Sequence, residues 1–142
     1  MSSAMPGTNI QHVNLQVGDL DAAVAFYTDV IGLGMAPTPD IGMPAQFIAI
    51  NDYQEIHINQ SDDVKPERAH FCLRVADFNA VYHRAKVAGV IESHTWGHAK
   101  RLASGVVQMF VRDPAGNLVE IACDADQPVD DEVFGEAVAT SS

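Results

Sequence analysis

The sequence predicts an α+β protein in which two paired βαβββ modules form a curved mixed sheet around a cleft. The first observation behind this is an internal repeat. The segment His12-Val13-Asn14-Leu15-Gln16-Val17-Gly18-Asp19-Leu20 returns 58 residues later as His70-Phe71-Cys72-Leu73-Arg74-Val75-Ala76-Asp77-Phe78, with His, Leu, Val and Asp at identical offsets. A repeat of this length marks two similar supersecondary units that must pack on each other to complete a core. The second observation is that each copy alternates with period two and then switches to 3.6-residue spacing just after an Asp, the signature of strand followed by helix. The third is that each unit ends in paired apolar-alternating runs. One helix covers only one face of such a sheet, so the other face closes against the sister unit.

The elements follow in order. Over residues 9–17, Ile10, His12, Asn14 and Gln16 point one way and Val13, Leu15 and Val17 the other, which is a strand. Asp19 caps a helix because its carboxylate can accept from the free N–H groups of the first turn. Leu20, Ala23, Val24, Tyr27, Val30 and Ile31 form its apolar stripe, and Gly32-Leu33-Gly34 ends it. After a loop with Pro37, Pro39 and Pro44, residues 46–50 and 55–59 read as a hairpin turning near Asn51-Asp52. In the second unit residues 69–75 are a strand and Asp77 a cap. Phe78, Val81, Tyr82, Ala85 and Ala88 form the stripe, and Gly89 closes the helix. Residues 106–112 and 118–123 make a hairpin around Asp113-Pro114-Ala115-Gly116-Asn117, a strong turn signal. The expected organisation is one domain: an N-terminal tail (1–8), a first module (9–60), a charged linker (61–67), a second module (68–124) and an acidic, loosely docked tail (125–142).

With 142 residues the chain can bury a core of its own. Its formal charge of −11 is concentrated at one end: Asp124, Asp126, Asp130, Asp131, Glu132 and Glu136 lie in the tail, and the remaining 13 acidic residues face 8 basic ones. That balance makes nucleic acid a poor partner, since phosphate binding needs a basic footprint. No apolar run approaches membrane-spanning length, and residues 1–8 lack the basic and apolar regions of a signal peptide. The two cysteines, Cys72 and Cys123, form no C-x-x-C pair, so reduced thiols in the cytoplasm are the expectation.

Strand parity identifies the chemistry. If Val13, Leu15 and Val17 face the helix, His12 faces the cleft, and His70 does so in the repeat. Ile56 and Ile58 leave Glu55, His57 and Asn59 on the opposite side of their strand; Val119 and Ile121 leave Glu120 facing the cleft. Each of these histidines alone reads more readily as an ordinary hydrogen-bonded core or surface residue than as a ligand. Together, His12, His57, His70 and Glu120 come from the strands that open and close each unit, at spacings of 45 and 50 residues. Imidazole and carboxylate donors suit one borderline divalent ion: Fe, Mn, Ni, Co or Zn. A lone carboxylate on the apolar run Leu118-Val119-Glu120-Ile121 is costly unless paired or bound to a cation.

The chain resembles the vicinal oxygen chelate superfamily, the glyoxalase, bleomycin-resistance and extradiol-dioxygenase group. The residues that carry the resemblance are Ile10-Gln11-His12-Val13-Asn14-Leu15, Val24-Ala25-Phe26-Tyr27 with Ile31-Gly32-Leu33, Ala69-His70-Phe71, and Phe110-Val111-Arg112-Asp113-Pro114-Ala115-Gly116-Asn117-Leu118-Val119-Glu120-Ile121. The likeness covers residues 9–123 and is specific for fold but not for reaction. It implies glyoxalase-like paired modules, a small-molecule substrate and a homodimer. It also implies a metal held by His12, His70 and Glu120 as widely shared ligands, with His57 at the variable fourth position.

Four protein ligands leave two open positions on an octahedral ion, enough for a chelating substrate but not for substrate and O₂ together. Lewis-acid enolate chemistry of isomerase or lyase type is therefore favoured, with Glu120 as proton carrier and His57 as fourth ligand or acid. The alternative is a ring-cleaving extradiol dioxygenase, using only three ligands. The resemblance places a Tyr acid at the position of Phe110, and its hydroxyl is missing here. A further alternative is drug sequestration without turnover. Phe47, Gln108 and Phe110 are expected to line the cleft by parity, and Trp96, His98 and Arg101 to reach substrate from the long loop of the second unit. Cys72 shares the face of His70, and His83 is expected on the solvent side of the second helix.

Overall fold

The computed structural model describes residues 10–64, 70–94 and 97–134. β1 (His12–Val17) leads into α1 (Leu20–Ala25), where the Asp19 carboxylate accepts from the Ala22 N–H at 3.0 Å. The helix continues as a π-helical turn, Phe26–Ile31, and stops at Gly32, whose φ of 98° suits glycine alone without strain. β2 (Gly34–Ala36), β3 (Ala45–Ala49) and β4 (Glu55–Gln60) complete a sheet of order β1-β4-β3-β2, with β1 parallel to β4. The second half repeats the plan. β5 (His70–Arg74) is followed by α2 (Phe78–Ala88), capped by the Asp77 carboxylate on the Ala80 N–H. Then come the short β6 (Ile91–Glu92) and β7 (Lys100–Arg101), and the long β8 (Val107–Arg112) and β9 (Leu118–Cys123). The order is β5-β9-β8-β6, with β7 also on β8 and β5 parallel to β9.

The two sheets share one apolar core. Val17, Ile48, Ile56 and Ile58 of the first sheet and Leu73, Met109, Val119 and Ile121 of the second are buried with Ala23, Tyr27, Phe78 and Val81 of the helices. The π turn changes the expected stripe. Hydrogen bonding i→i+5 widens the helix, so Phe26, which straight 3.6-residue spacing leaves off the stripe, is buried beside Tyr27 and Ile31. Arg84 of α2 donates through Nε to the Val30 carbonyl at 2.7 Å and through Nη2 to that of Ile31 at 3.1 Å, satisfying carbonyls at the end of this turn.

A polar bolt also joins the halves. Asp113, in the turn between β8 and β9, is 4 % exposed and accepts from the Tyr27 hydroxyl at 2.9 Å, the Ala115 and Asn117 N–H groups and the Asn117 side-chain amide. The Asn117 amide also reaches the Gln16 carbonyl at 3.2 Å. Burial, and then the Asp113 charge, hold the Tyr27 phenol far above its ordinary value of 10.0. The folded protein therefore keeps a proton that the unfolded chain loses. This stabilisation is complete below about pH 10 and fades as pH rises above it, by up to about 1.4 kcal/mol per unit. Urea titrations between about pH 9.5 and 11.5 are expected to show a shallower alkaline loss for Tyr27→Phe than for the parent chain.

Residues 125–134 are docked more firmly than their composition suggests. Gln127 accepts from the Phe78 N–H at 2.7 Å and donates to the Val75 carbonyl, Asp130 N–H donates to Asn79, and Val133 of the 3-10 turn Asp131–Phe134 is buried. His83 keeps its side chain nearly half exposed, as expected, and meets Glu132 at 2.9 Å from α2. Gln127 and Val133 are the anchors with the deepest reach, and averaged polarity hides both. Gly105 supports the same contact: its φ is 93°, and an added Cβ would lie 2.6 Å from the Ala125 Cβ. Gly105→Ala is expected to cost about 1–3 kcal/mol, read as a shift in urea midpoint.

Candidate metal centre

The parity read from the sequence sets the cleft face. β1 alternates in exposure, with His12, Asn14 and Gln16 outward and Val17 buried. The register places Glu55 beside His12 and His57 beside Asn14 on one side and Phe47 on the other. In the second sheet Cys72, Glu120 and Phe110 form one cross-strand row, and Gln108 pairs with Ala122.

Two clusters result. In the first, the His57 ring lies between Phe47 (centroids 3.5 Å apart, planes 6°) and His12 (4.0 Å, 15°). His57 Nε2 meets Glu55 Oε1 at 2.9 Å. His12 Nδ1 meets the Gln11 side-chain oxygen at 2.6 Å; an acceptor there keeps the proton on Nδ1 and leaves Nε2 as a lone-pair donor. In the second cluster, His70 Nε2 lies 3.3 Å from Glu120 Oε1, and the edge of the His70 ring pair packs with Phe110 at 5.3 Å between centroids. Adjacent ligands on one ion, each about 2.1 Å from it, stand roughly 3 Å apart, so this pair has the spacing of a chelate. Partial burial, and next the Glu120 carboxylate, push the Cys72 thiol up to about 11, so it is neutral at pH 7.

His12, His70 and Glu120 all line one cavity of about 870 Å³, together with Gln11, Glu55 and Cys72. The donor set fits a borderline divalent ion in type and in the pinned tautomer of His12. The two clusters are nevertheless separate. Among the described residues, the group of three ligand-type side chains whose donor atoms lie within 4.8 Å of one another is His83, Asp130 and Glu132, a surface clasp between α2 and the C-terminal segment. No three of His12, His57, His70 and Glu120 come that close. One coordination sphere spans about 4 Å, so all four share an ion only if their side chains turn toward one another or the two walls approach.

The other sequence candidates distribute differently. Phe47 and Phe110 pack against the cleft imidazoles, and Gln108 follows Phe110 on the same face of β8. His98 lines a separate cavity of about 210 Å³ with Tyr82, Lys86 and Val133, against α2. Arg101 donates to the Gly105 carbonyl and lies over Phe134. Trp96 lies outside the described residues. Sequence reasoning placed Glu55 on the face of His57 without giving it a role, and it missed Gln11. Glu55 carried a signal, since it shares parity with His57 beside a ring that needs an acceptor; Gln11 carried none, because it approaches His12 by local backbone geometry.

Residues 9–121 match the profile of the Glyoxalase/Bleomycin resistance protein/Dioxygenase superfamily. The chain belongs to this superfamily. Within it, the chain is 30 % identical over 122 residues to the lactoylglutathione lyase of Haemophilus influenzae, covering 78 % of this chain and 89 % of that protein. It is equally 30 % identical over 113 residues to the biphenyl-2,3-diol 1,2-dioxygenase of Paraburkholderia xenovorans, but there it spans only 37 % of the relative's length against 73 % of its own. The crystal structure of a lactoylglutathione lyase from Agrobacterium tumefaciens superposes with a TM-score of 0.63 at 28 % identity, over 84 % of this chain and 96 % of that one. No helix of the described residues is long and apolar enough to cross a membrane.

Proposed function

We propose that this superfamily member is a divalent-metal enzyme performing isomerase- or lyase-type enolate chemistry on a small substrate that chelates through neighbouring oxygens. The observation that carries this reading is that His12, His70 and Glu120, donated by both halves of the repeat, line one cavity large enough for a small molecule. A bound divalent ion would supply Lewis acidity toward a substrate carbonyl. The chain's own groups do the rest. Gln11 fixes the His12 tautomer, Glu55 orients His57 through Nε2, and Phe47 holds the imidazole flat. Glu120, which lines the cavity, offers a carboxylate oxygen to carry the proton removed from the substrate α-carbon.

A ring-cleaving dioxygenase is the second reading, favoured by the match to the biphenyl-diol enzyme. It lacks a phenolic acid at Phe110, and the lyase relative is covered almost end to end. We also take the protein to be a homodimer, which sedimentation analysis tests. The deciding experiment follows proton and oxygen side by side. Metal-dependent deuterium incorporation at a substrate α-carbon, without O₂ uptake, supports the enolate reading; stoichiometric O₂ uptake with catechols and no exchange overturns it.

A further inference from the structure

We propose that His83, Asp130 and Glu132 form a second divalent-cation site, outside the cleft, whose ion staples the C-terminal segment onto α2. The inference does not depend on the chemistry assigned to the cleft. His83 Nε2 lies 2.9 Å from Glu132 Oε1 and 4.0 Å from Asp130 Oδ2. One ligand atom from each of the three residues lies within 4.8 Å of the others. On a borderline divalent ion with bonds of about 2.0–2.2 Å, neighbouring ligand atoms stand about 3–3.5 Å apart and opposite ones about 4 Å. Rotation of three surface side chains therefore closes this triangle on an ion, with no movement of the backbone.

The backbone is set for this before any ion arrives. Asn79 and His83 stand one turn apart on α2, on the same face. Asn79 Oδ1 accepts from the Asp130 N–H at 2.9 Å, and its Nδ2 donates to the Pro128 carbonyl at 3.5 Å. The Val133 N–H donates to the Asp130 carbonyl at 3.1 Å, and the Val133 side chain is buried. Both carboxylates thus spring from a segment already fixed against α2, so an ion has only side chains left to order. Charge favours it as well. Two carboxylates face one imidazole, which can cancel at most one of them and then only when protonated. A divalent ion neutralises both and takes the lone pair of the uncharged ring. The imidazole donor selects Zn(II), Co(II) or Ni(II) over Mg(II) and Ca(II), which prefer oxygen alone. The stapled segment carries Val133, which lines the cavity of about 210 Å³ with Tyr82 and His98, and Phe134, which lies under Arg101.

The test uses the full chain with Zn(II) as the probe, in the Glu120→Gln background so that the cleft contributes little uptake. Equilibrium dialysis is expected to show one Zn(II) per chain, and hydrogen exchange read by mass spectrometry follows the backbone of residues 126–134. Exchange through openings that release the ion slows by a factor of 1 + c/Kd, with c the free zinc concentration, or about tenfold when c is ten times Kd. Mg(II) at the same concentration is expected to slow it by less than about twofold. Added His83→Ala or Glu132→Gln, both at surface side chains, is expected to weaken uptake by about tenfold or more and to abolish the zinc-dependent slowing. Loss of the direct His83–Glu132 pair raises exchange with and without zinc, so the zinc-dependent difference is the quantity that decides. No Zn(II) uptake in the Glu120→Gln chain, uptake unchanged by His83→Ala, or uptake without slowed exchange at 126–134 overturns the site. Equal slowing by Mg(II) overturns it too, since that is general screening of the carboxylates.

Discussion

Glu120→Gln is expected to lower divalent-metal affinity by about 100-fold or more and to reduce α-carbon exchange by about three orders of magnitude, with little change in folding. The substitution keeps the shape of the side chain and removes its charge. Orienting groups around metal ligands are worth 10- to 100-fold in affinity, so an anionic ligand itself sits at or beyond the upper end of that range. The fold tolerates the change because Val119 and Ile121, on the other face of β9, carry the packing, while Cys72 and Phe110 flank Glu120 on the cleft side and the substitution keeps its shape. Equilibrium dialysis against Zn(II) or Co(II), beside thermal melts of the apo-protein, separates the two effects. Gln11→Ala, acting only through the His12 tautomer, is expected to show the smaller 10- to 100-fold loss. Unchanged metal affinity in Glu120→Gln would rule out the proposed centre.

Asp113→Ala is the second large effect, and it concerns folding. The carboxylate accepts from four donors in a buried site, among them the Tyr27 hydroxyl from the other half of the repeat. Its removal orphans these donors at about 1–3 kcal/mol each where they stay buried, and turn relaxation recovers part, leaving a net cost of about 3–5 kcal/mol. For a domain of this size that corresponds to a melting point lower by roughly 10–20 °C. A double-mutant cycle with Tyr27→Phe should show coupling of about 1 kcal/mol, because the phenol has nothing left to lose once its acceptor is gone. Additive single effects would mean that the bolt does not join the halves.

Much of this architecture was legible in the sequence because it is periodic. Val13-Leu15-Val17 and Ile56-Ile58 alternate with polar residues, so their strands and inward faces follow from period two, and the structure pairs them as β1 and β4. Asp19 and Asp77 announced both helix starts by the chemistry of free N–H groups. The rest depended on three-dimensional accident. The π turn arises where helix geometry yields to packing against Arg84, a contact 53 and 54 residues away in sequence. The docking of residues 125–134 rests on Gln127 and Val133, which no periodicity marks. At the cleft, parity identified which side chains share a face but not how far apart the two faces stand, since separation is set by helix packing and the Tyr27–Asp113 contact rather than by any strand.

The pairing of each opening strand with the closing strand of its own half leaves β1 and β5 at the rims of different sheets. His12 and His70 are thus mounted on two jaws that, among the described residues, no backbone ladder bridges, joined at their base by the Tyr27–Asp113 contact. The shared core and that contact, rather than any strand ladder among the described residues, set the spacing of the jaws. Residues on the facing surfaces of such a frame can be exchanged while the joint and both sheets stay as they are.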